Sequence, residues 1–288
     1  GRRFVGDECV PFPGPAPPSK QPVGIMAKGY TDTVAKRSTD GGSSWSPLAV
    51  VAKGGWCPTA VYDARRRRVV VQYSLYTDNS DWQLTSSDSG ATWSAPVSLD
   101  AKLPAGRGSM LNGVGHALQL SLTHPQFPGR LLWIGHRWTP ADPADVDEYC
   151  WWSDDGGSTF GVGASLGRQL NEAMLVEGPG GEVIANMRTD QSSIQTRMVA
   201  ISTSGGATFS TPAPDPVLIN GHCQASMLRL GGSILFANPA TTLSGGAQTF
   251  RTDKQGTLSY FIGHNPDYPQ DTGFGLKSWR EVTSETSS

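Results

Sequence analysis

The chain has 288 residues, a formal net charge of -2 and a pI near 6.2. It lacks the basic excess with which proteins hold polyanions, so nucleic acid is not an expected partner. No stretch approaches the roughly 18 consecutive apolar residues of a membrane-spanning helix, and Cys9, Cys57, Cys150 and Cys223 show no CxxC spacing of the zinc-binding kind, so neither a transmembrane segment nor a metal site is expected and the compartment is left open.

In chain order, "FPGPAPPSKQP" (12–22) is too rich in proline for a central strand, because each proline removes a ladder donor. Then come "RVVVQYSL" (68–75), "GHALQLSL" (115–122), "GRLLWIG" (129–135), "GEVIANM" (181–187) and "SILFAN" (233–238). Each is short, β-branched or aromatic and bounded by turn formers, which predicts strands. The basic run "ARRRR" (64–68) sits where a turn feeds one of them, as a solvated hairpin end. No amphipathic helix of more than two turns is predicted.

Between these strands one motif recurs: "STDGGSSW" (38–45), "SSDSGATW" (86–93), "SDDGGSTF" (153–160) and "STSGGATF" (202–209). All fit S-x-D-x-G-x-[ST]-[WF], except that Ser204 takes the Asp position of the last. The starts lie 48, 67 and 49 residues apart, about one four-stranded propeller blade with its loops. An Asp in such a turn accepts hydrogen bonds from nearby N–H groups, the glycines allow positive φ, and the aromatic ring packs on the hairpin. The motif is therefore expected between the third and fourth strands of a blade, away from any ligand face, and Asp40, Asp88 and Asp155 are read as scaffold.

With the segments between its copies, the motif resembles the sialidases, whose Asp boxes it matches. The segments fall in the family's order: "GWCPTAVYD" (55–63), "GVGHALQL" (113–120), "NEAMLVE" (171–177), "IANMR" (184–188), "HCQASML" (222–228) and "ILFANP" (234–239). "GHALQL" and "CQASML" are especially similar to animal-type members. The resemblance implies an all-β, six-bladed β-propeller spanning residues 1–288 as one domain. It also implies an exo-α-sialidase that removes terminal sialic acid with retention of configuration, without cofactor or metal, from sialylated glycoproteins, gangliosides or oligosaccharides. In that family three arginines grip the sugar carboxylate, a Tyr attacks the anomeric carbon, a Glu relays its proton, and an Asp is the acid/base.

Carried over residue by residue, the resemblance makes Glu172 the activating carboxylate, with Glu177 as its competitor, and Arg188 and Arg251 the second and third arginines; a solvated hairpin is the other reading of Arg251. His116 and Gln119 fall on the strand resembling the one that lines the sugar pocket; a satisfied core histidine is the other reading of His116. Tyr149 and Trp151 fit either stacking on a glycan or the core. Toward the N-terminus the best match to the first arginine's motif is "CVP" (9–11), which puts Cys9 in its place, and Asp32 is the carboxylate nearest the acid/base position. By the family's spacing from Trp279 the nucleophilic Tyr falls just past Ser288, too late for Tyr260 or Tyr268, so the last blade is expected to be incomplete. The alternative is an impaired sialidase-fold protein that binds sialylated or other anionic glycans.

Overall fold

A computed structural model of the chain describes residues 32–239, except 76–77, 79, 101, 104–109, 113–114, 140–141, 192, 221–223 and 232, together with 258–264 and 279–283. All the regular structure among them is β. β1 (Thr33–Ala35) and β2 (Ala49–Ala52) pair antiparallel around the first Asp box. β3 (Gly55–Asp63), β4 (Arg68–Leu75), β5 (Asp81–Ser86) and β6 (Val97–Ser98) form an antiparallel meander. β7 (Met110–Asn112), β8 (Gly115–His116) and β9 (Leu118–Gln119) are short. β8 adds to β3 in parallel, while β7 and β9 lie along β10 (Leu131–Thr139), which continues through β11 (Asp142–Ser153) to β12 (Gly161–Arg168).

Two more four-stranded meanders follow. One is β13 (Leu170–Glu177), β14 (Val183–Thr189), β15 (Thr196–Ser202) and β16 (Ala213–Ile219); the other is β17 (Ser226–Leu230), β18 (Ser233–Pro239), β19 (Leu258–His264) and β20 (Trp279–Thr283).

The central strands are apolar on both faces because each sheet is covered twice. On β13, Ala173 and Leu175 enter the core shared with β10 and β11, whereas Met174 and Val176 enter the core shared with β17 and β18. Likewise β10 sends Leu132 and Ile134 toward the β13–β16 sheet and Leu131 and Trp133 toward the β3–β6 sheet. Alternation with period two thus stacks consecutive sheets face to face, as propeller blades do.

The second, third and fourth Asp boxes lie where the sequence predicts, between the third and fourth strands of their sheets, and the first joins the β1–β2 pair. The Asp88 carboxylate accepts from the Ser86 hydroxyl at 2.8 Å and from the Thr92 amide at 2.8 Å and hydroxyl at 2.5 Å. Asp40 and Asp155 repeat the pattern, and Ser204 replaces it with a hydroxyl that accepts from the Thr208 amide at 2.9 Å. The boxes also join neighbouring sheets. Arg68 donates to the Gly156 carbonyl at 2.7 Å and Gln83 to that of Gly157 at 3.1 Å, and one sheet further on Arg130 donates to that of Gly205 at 3.0 Å.

Candidate functional site

β15 ends in the fourth Asp box and begins at the opposite rim, where it is met by the start of β13 and the end of β14. There the β13–β14 ladder is interrupted between Asn171 and Ala173 by a bulge whose extra residue is Glu172, at φ 28°. A positive φ at a non-glycine residue is strained, and here it re-aims the side chain out of the strand's alternation. The Glu172 amide donates to Asn171 Oδ1 at 2.8 Å, and Arg197, a fully buried arginine, donates to the Glu172 carbonyl at 3.2 Å, so the bulge is held from both sides.

Arg188 reaches this bulge from β14. Its Nη1 lies 2.9 Å from Glu172 Oε2 and its Nη2 2.8 Å from Asp190 Oδ1. Asn171 Nδ2 donates to the other Asp190 oxygen at 3.0 Å, and Arg197 Nε donates to Asn186 Oδ1 at 2.7 Å. Burial pushes the Arg188 guanidinium down, but Asp190 and Glu172 outweigh it and its pKa rises above the ordinary value. The result is a permanent cation at a strand end, paired with two carboxylates.

Three further ionisable side chains feel this cluster. Burial lowers His136 to about 4, with Asp190 raising and Arg188 lowering it. Burial raises the Cys57 thiol to about 12, helped by the Glu172 charge. Glu148, 0% exposed, is pushed well above the usual glutamate range by burial; Arg197 opposes this, while Asp190 and Glu172 add to it.

The other residues expected from the sequence lie elsewhere or have partners. Asp32 Oδ1 accepts from the Gly54 amide at 2.9 Å, closing a turn. His116 Nε2 lies 2.9 Å from the Met227 carbonyl, which ties β8 to β17, and its Nδ1 lies 3.1 Å from the carbonyl of the adjacent Ala117. Gln119 accepts from the Ala64 amide at 2.9 Å and donates to the Gly129 carbonyl at 3.3 Å, past the end of β3 remote from Cys57. Glu177, at the far end of β13, accepts from the Ser121 amide at 2.8 Å and hydroxyl at 2.9 Å. Tyr149 and Trp151 pack in the core between the β3–β6 sheet and the sheet of β10–β12, with Trp151 Nε1 donating to Gln72 at 3.0 Å. Arg251 and Cys9 lie outside the described residues. Among the described residues, no group of three or more His, Cys, Asp and Glu is arranged to hold a metal ion.

Asp190, Asn171, Arg197 and Glu148 are not in the sequence-derived set. The two-residue spacing of "RTD" (188–190) was the available signal for Asp190, whereas Arg197 and Glu148 arrive from neighbouring strands.

Comparison with known proteins gives two family matches: the BNR repeat-like domain over residues 26–258 and the metal-independent carbonic anhydrases over residues 230–288. A sialidase of Micromonospora viridifaciens is 28% identical over 268 residues, which is 80% of this chain and 40% of the relative. A metal-independent carbonic anhydrase of Nostoc is 45% identical over 51 residues, 18% of this chain and 23% of the relative. Among solved structures, a Hadza microbial sialidase superposes with a TM-score of 0.69 at 18% identity, covering 88% of this chain and 52% of its own. The intramolecular trans-sialidase of Ruminococcus gnavus, in complex with oseltamivir carboxylate, gives 0.65 at 15% identity, covering 88% of this chain and 77% of its own. The chain thus spans about half the length, or less, of several of the proteins it matches.

Proposed function

The chain belongs to the BNR repeat-like domain family, and from that premise we propose that it is a sialidase-type glycoside hydrolase whose Glu172–Arg188 rim takes the carboxylate end of a terminal sialic acid. The observation that carries this is the 2.9 Å pairing of Glu172 with Arg188 on a strained bulge, at the rim opposite the Asp boxes. It is supported by the fold shared with the sialidase structures.

In this reading the substrate carboxylate enters on the Arg188 guanidinium and displaces Glu172 and Asp190 from it. Displaced, Glu172 is free to take the proton of an attacking tyrosine. As the tyrosine–anomeric carbon bond forms, the glycosidic bond breaks and the departing glycan oxygen takes a proton from the acid/base carboxylate; water then cleaves the glycosyl-tyrosine to release sialic acid with retention. The substrates are sialylated glycoproteins, gangliosides or oligosaccharides, and the propeller domain takes in residues 1–288. The likeness to the metal-independent carbonic anhydrase spans 18% of this chain and 23% of that relative.

The second reading is a binding propeller without hydrolysis. It is favoured by the Gly54 amide on Asp32, which gives the expected acid/base a structural partner. Release of the fluorophore from a fluorogenic sialoside by the full-length protein decides between them, with Glu172→Ala as control. Turnover abolished by Glu172→Ala supports the hydrolase; sialoside binding without release supports the binder; equal rates for the two proteins sink the assignment of Glu172.

A further inference from the structure

Glu148 has no role in the mechanism above, yet its burial calls for an explanation. It is fully buried, and no donor among the described residues reaches either of its carboxyl oxygens. It stands on β11 directly opposite His136 of β10. By alternation it shares the face of Cys150, which packs against Leu170, Ala173 and Met187 of the β13–β16 sheet. A carboxylate there would lack both water and hydrogen-bond donors, so the group is held as a neutral carboxylic acid.

The charged and titratable groups around it come from every element packed on that seam. They are His136 from β10, Cys150 on its own strand, Glu172 from β13, Arg188 from β14 with Asp190 just beyond, and Arg197 from β15, while Arg130, which acts on Cys150, is paired with Asp154, and Arg168 of β12 stands opposite Asp147, so these four add no net charge. Arg188 and Arg197 carry two positive charges, and Glu172 and Asp190 two negative ones. His136, lowered to about 4 by burial, adds none near neutrality, and burial keeps Cys150 a thiol. With Glu148 neutral the charges around Arg188 therefore balance; an ionised Glu148 would leave the cluster net negative where an anionic sugar has to enter.

We propose that Glu148 is a positioning residue that, as a buried neutral acid behind the Glu172–Arg188 rim, keeps Arg188 able to accept an external carboxylate. This rests on the sialic acid reading of the site. It predicts that anion binding weakens on the alkaline side as Glu148 loses its proton, through the field of one added negative charge rather than through contact.

The test is carried out on the wild-type chain and on Glu148→Gln, an uncharged side chain of the same shape. With carboxyl-13C-labelled glutamate, the resonance missing from Glu148→Gln identifies Glu148, and it should have the shift of a neutral acid at pH 7. Calorimetric affinity of the wild type for N-acetylneuraminic acid should fall on the order of tenfold across the alkaline range in which that resonance shows Glu148 losing its proton, while Glu148→Gln keeps its pH 6 affinity throughout. An ionised Glu148 resonance at pH 7, or a Glu148→Gln curve that follows the wild type, overturns the proposal. Binding by neither protein at any pH sinks the sialic acid pocket and this role with it; binding whose pH course both share sinks the role alone.

Discussion

Arg130 offers a quantitative test of the scaffold, because it shows how an Asp box holds its neighbouring sheet. It is 8% exposed, its Nη1 donates to the Gly205 carbonyl at 3.0 Å, and Nε and Nη2 each lie 2.8 Å from an oxygen of Asp154. The guanidinium carbon lies 4.2 Å from the Phe127 ring centroid and 5.1 Å from that of Trp152. Arg130→Met keeps the alkyl packing and removes the rest. The charged hydrogen bond to a buried carbonyl is worth about 1.5–3 kcal/mol and the two ring contacts about 0.5–1 kcal/mol each. The Asp154 side chain is 60% exposed, so solvent screening reduces that ion pair to about 0.5 kcal/mol. The sum is about 3–5.5 kcal/mol, read as a lower urea midpoint with an unchanged m-value. Asp154→Asn should cost less than about 1 kcal/mol. If Arg130→Met costs less than about 1 kcal/mol, or Asp154→Asn costs as much as Arg130→Met, the inter-sheet anchoring is wrong.

The remaining predictions address turns and titration. Gly206→Ala should cost roughly 2–4 kcal/mol, because φ is 91° and the new Cβ would lie 2.5 Å from Leu132 Cδ2; Gly231→Ala, with no atom within 4 Å, should show only the backbone penalty, about 1 kcal/mol. Equal losses at the two sites would remove the packing argument. Although burial pushes the Asp155 carboxyl up, hydrogen bonds from Thr159, Ser153 and Ser158 bring it down to about 2. Its stabilising contribution is therefore complete above the unfolded value near 3.8 and is lost as pH falls through about 2; Asp155→Asn should flatten the acid limb of stability in that window, and an unchanged limb would refute it. Glu148 behaves in the opposite sense. Its raised native pKa makes the wild type lose stability as pH rises above the unfolded value of about 4.5, with a slope of at most about 1.4 kcal/mol per pH unit. Glu148→Gln should lack that slope in pH-dependent urea titrations, and parallel curves would contradict it.

The sequence carried the scaffold because its signals are local. Four similar turns at blade spacing, with short apolar runs between them, are enough to call strands, and "RVVVQYSL" is β4 residue for residue. The nearness of Glu172 and Arg188 was legible for the same reason, since they sit sixteen residues apart on adjacent strands of one hairpin and pair there. What failed to show was whatever crosses between strands or sheets. Asp190 lies on the same hairpin but looks like an ordinary turn residue, and Arg197 and Glu148 meet the site only once β15 and β11 are in place. Gln119 and Asp32 resemble site residues by motif order, and their hydrogen bonds to the backbone of Ala64 and Gly54 could be read only from the fold.

Calorimetric titration of N-acetylneuraminic acid into the wild-type chain and into Arg188→Met near pH 6 asks most directly whether the Glu172–Arg188 rim is a sugar-carboxylate site. The account predicts measurable binding by the wild type and a loss of at least about a hundredfold in Arg188→Met, from the removal of a desolvated charge-assisted contact. Unchanged affinity in Arg188→Met, with both proteins folded, would contradict it.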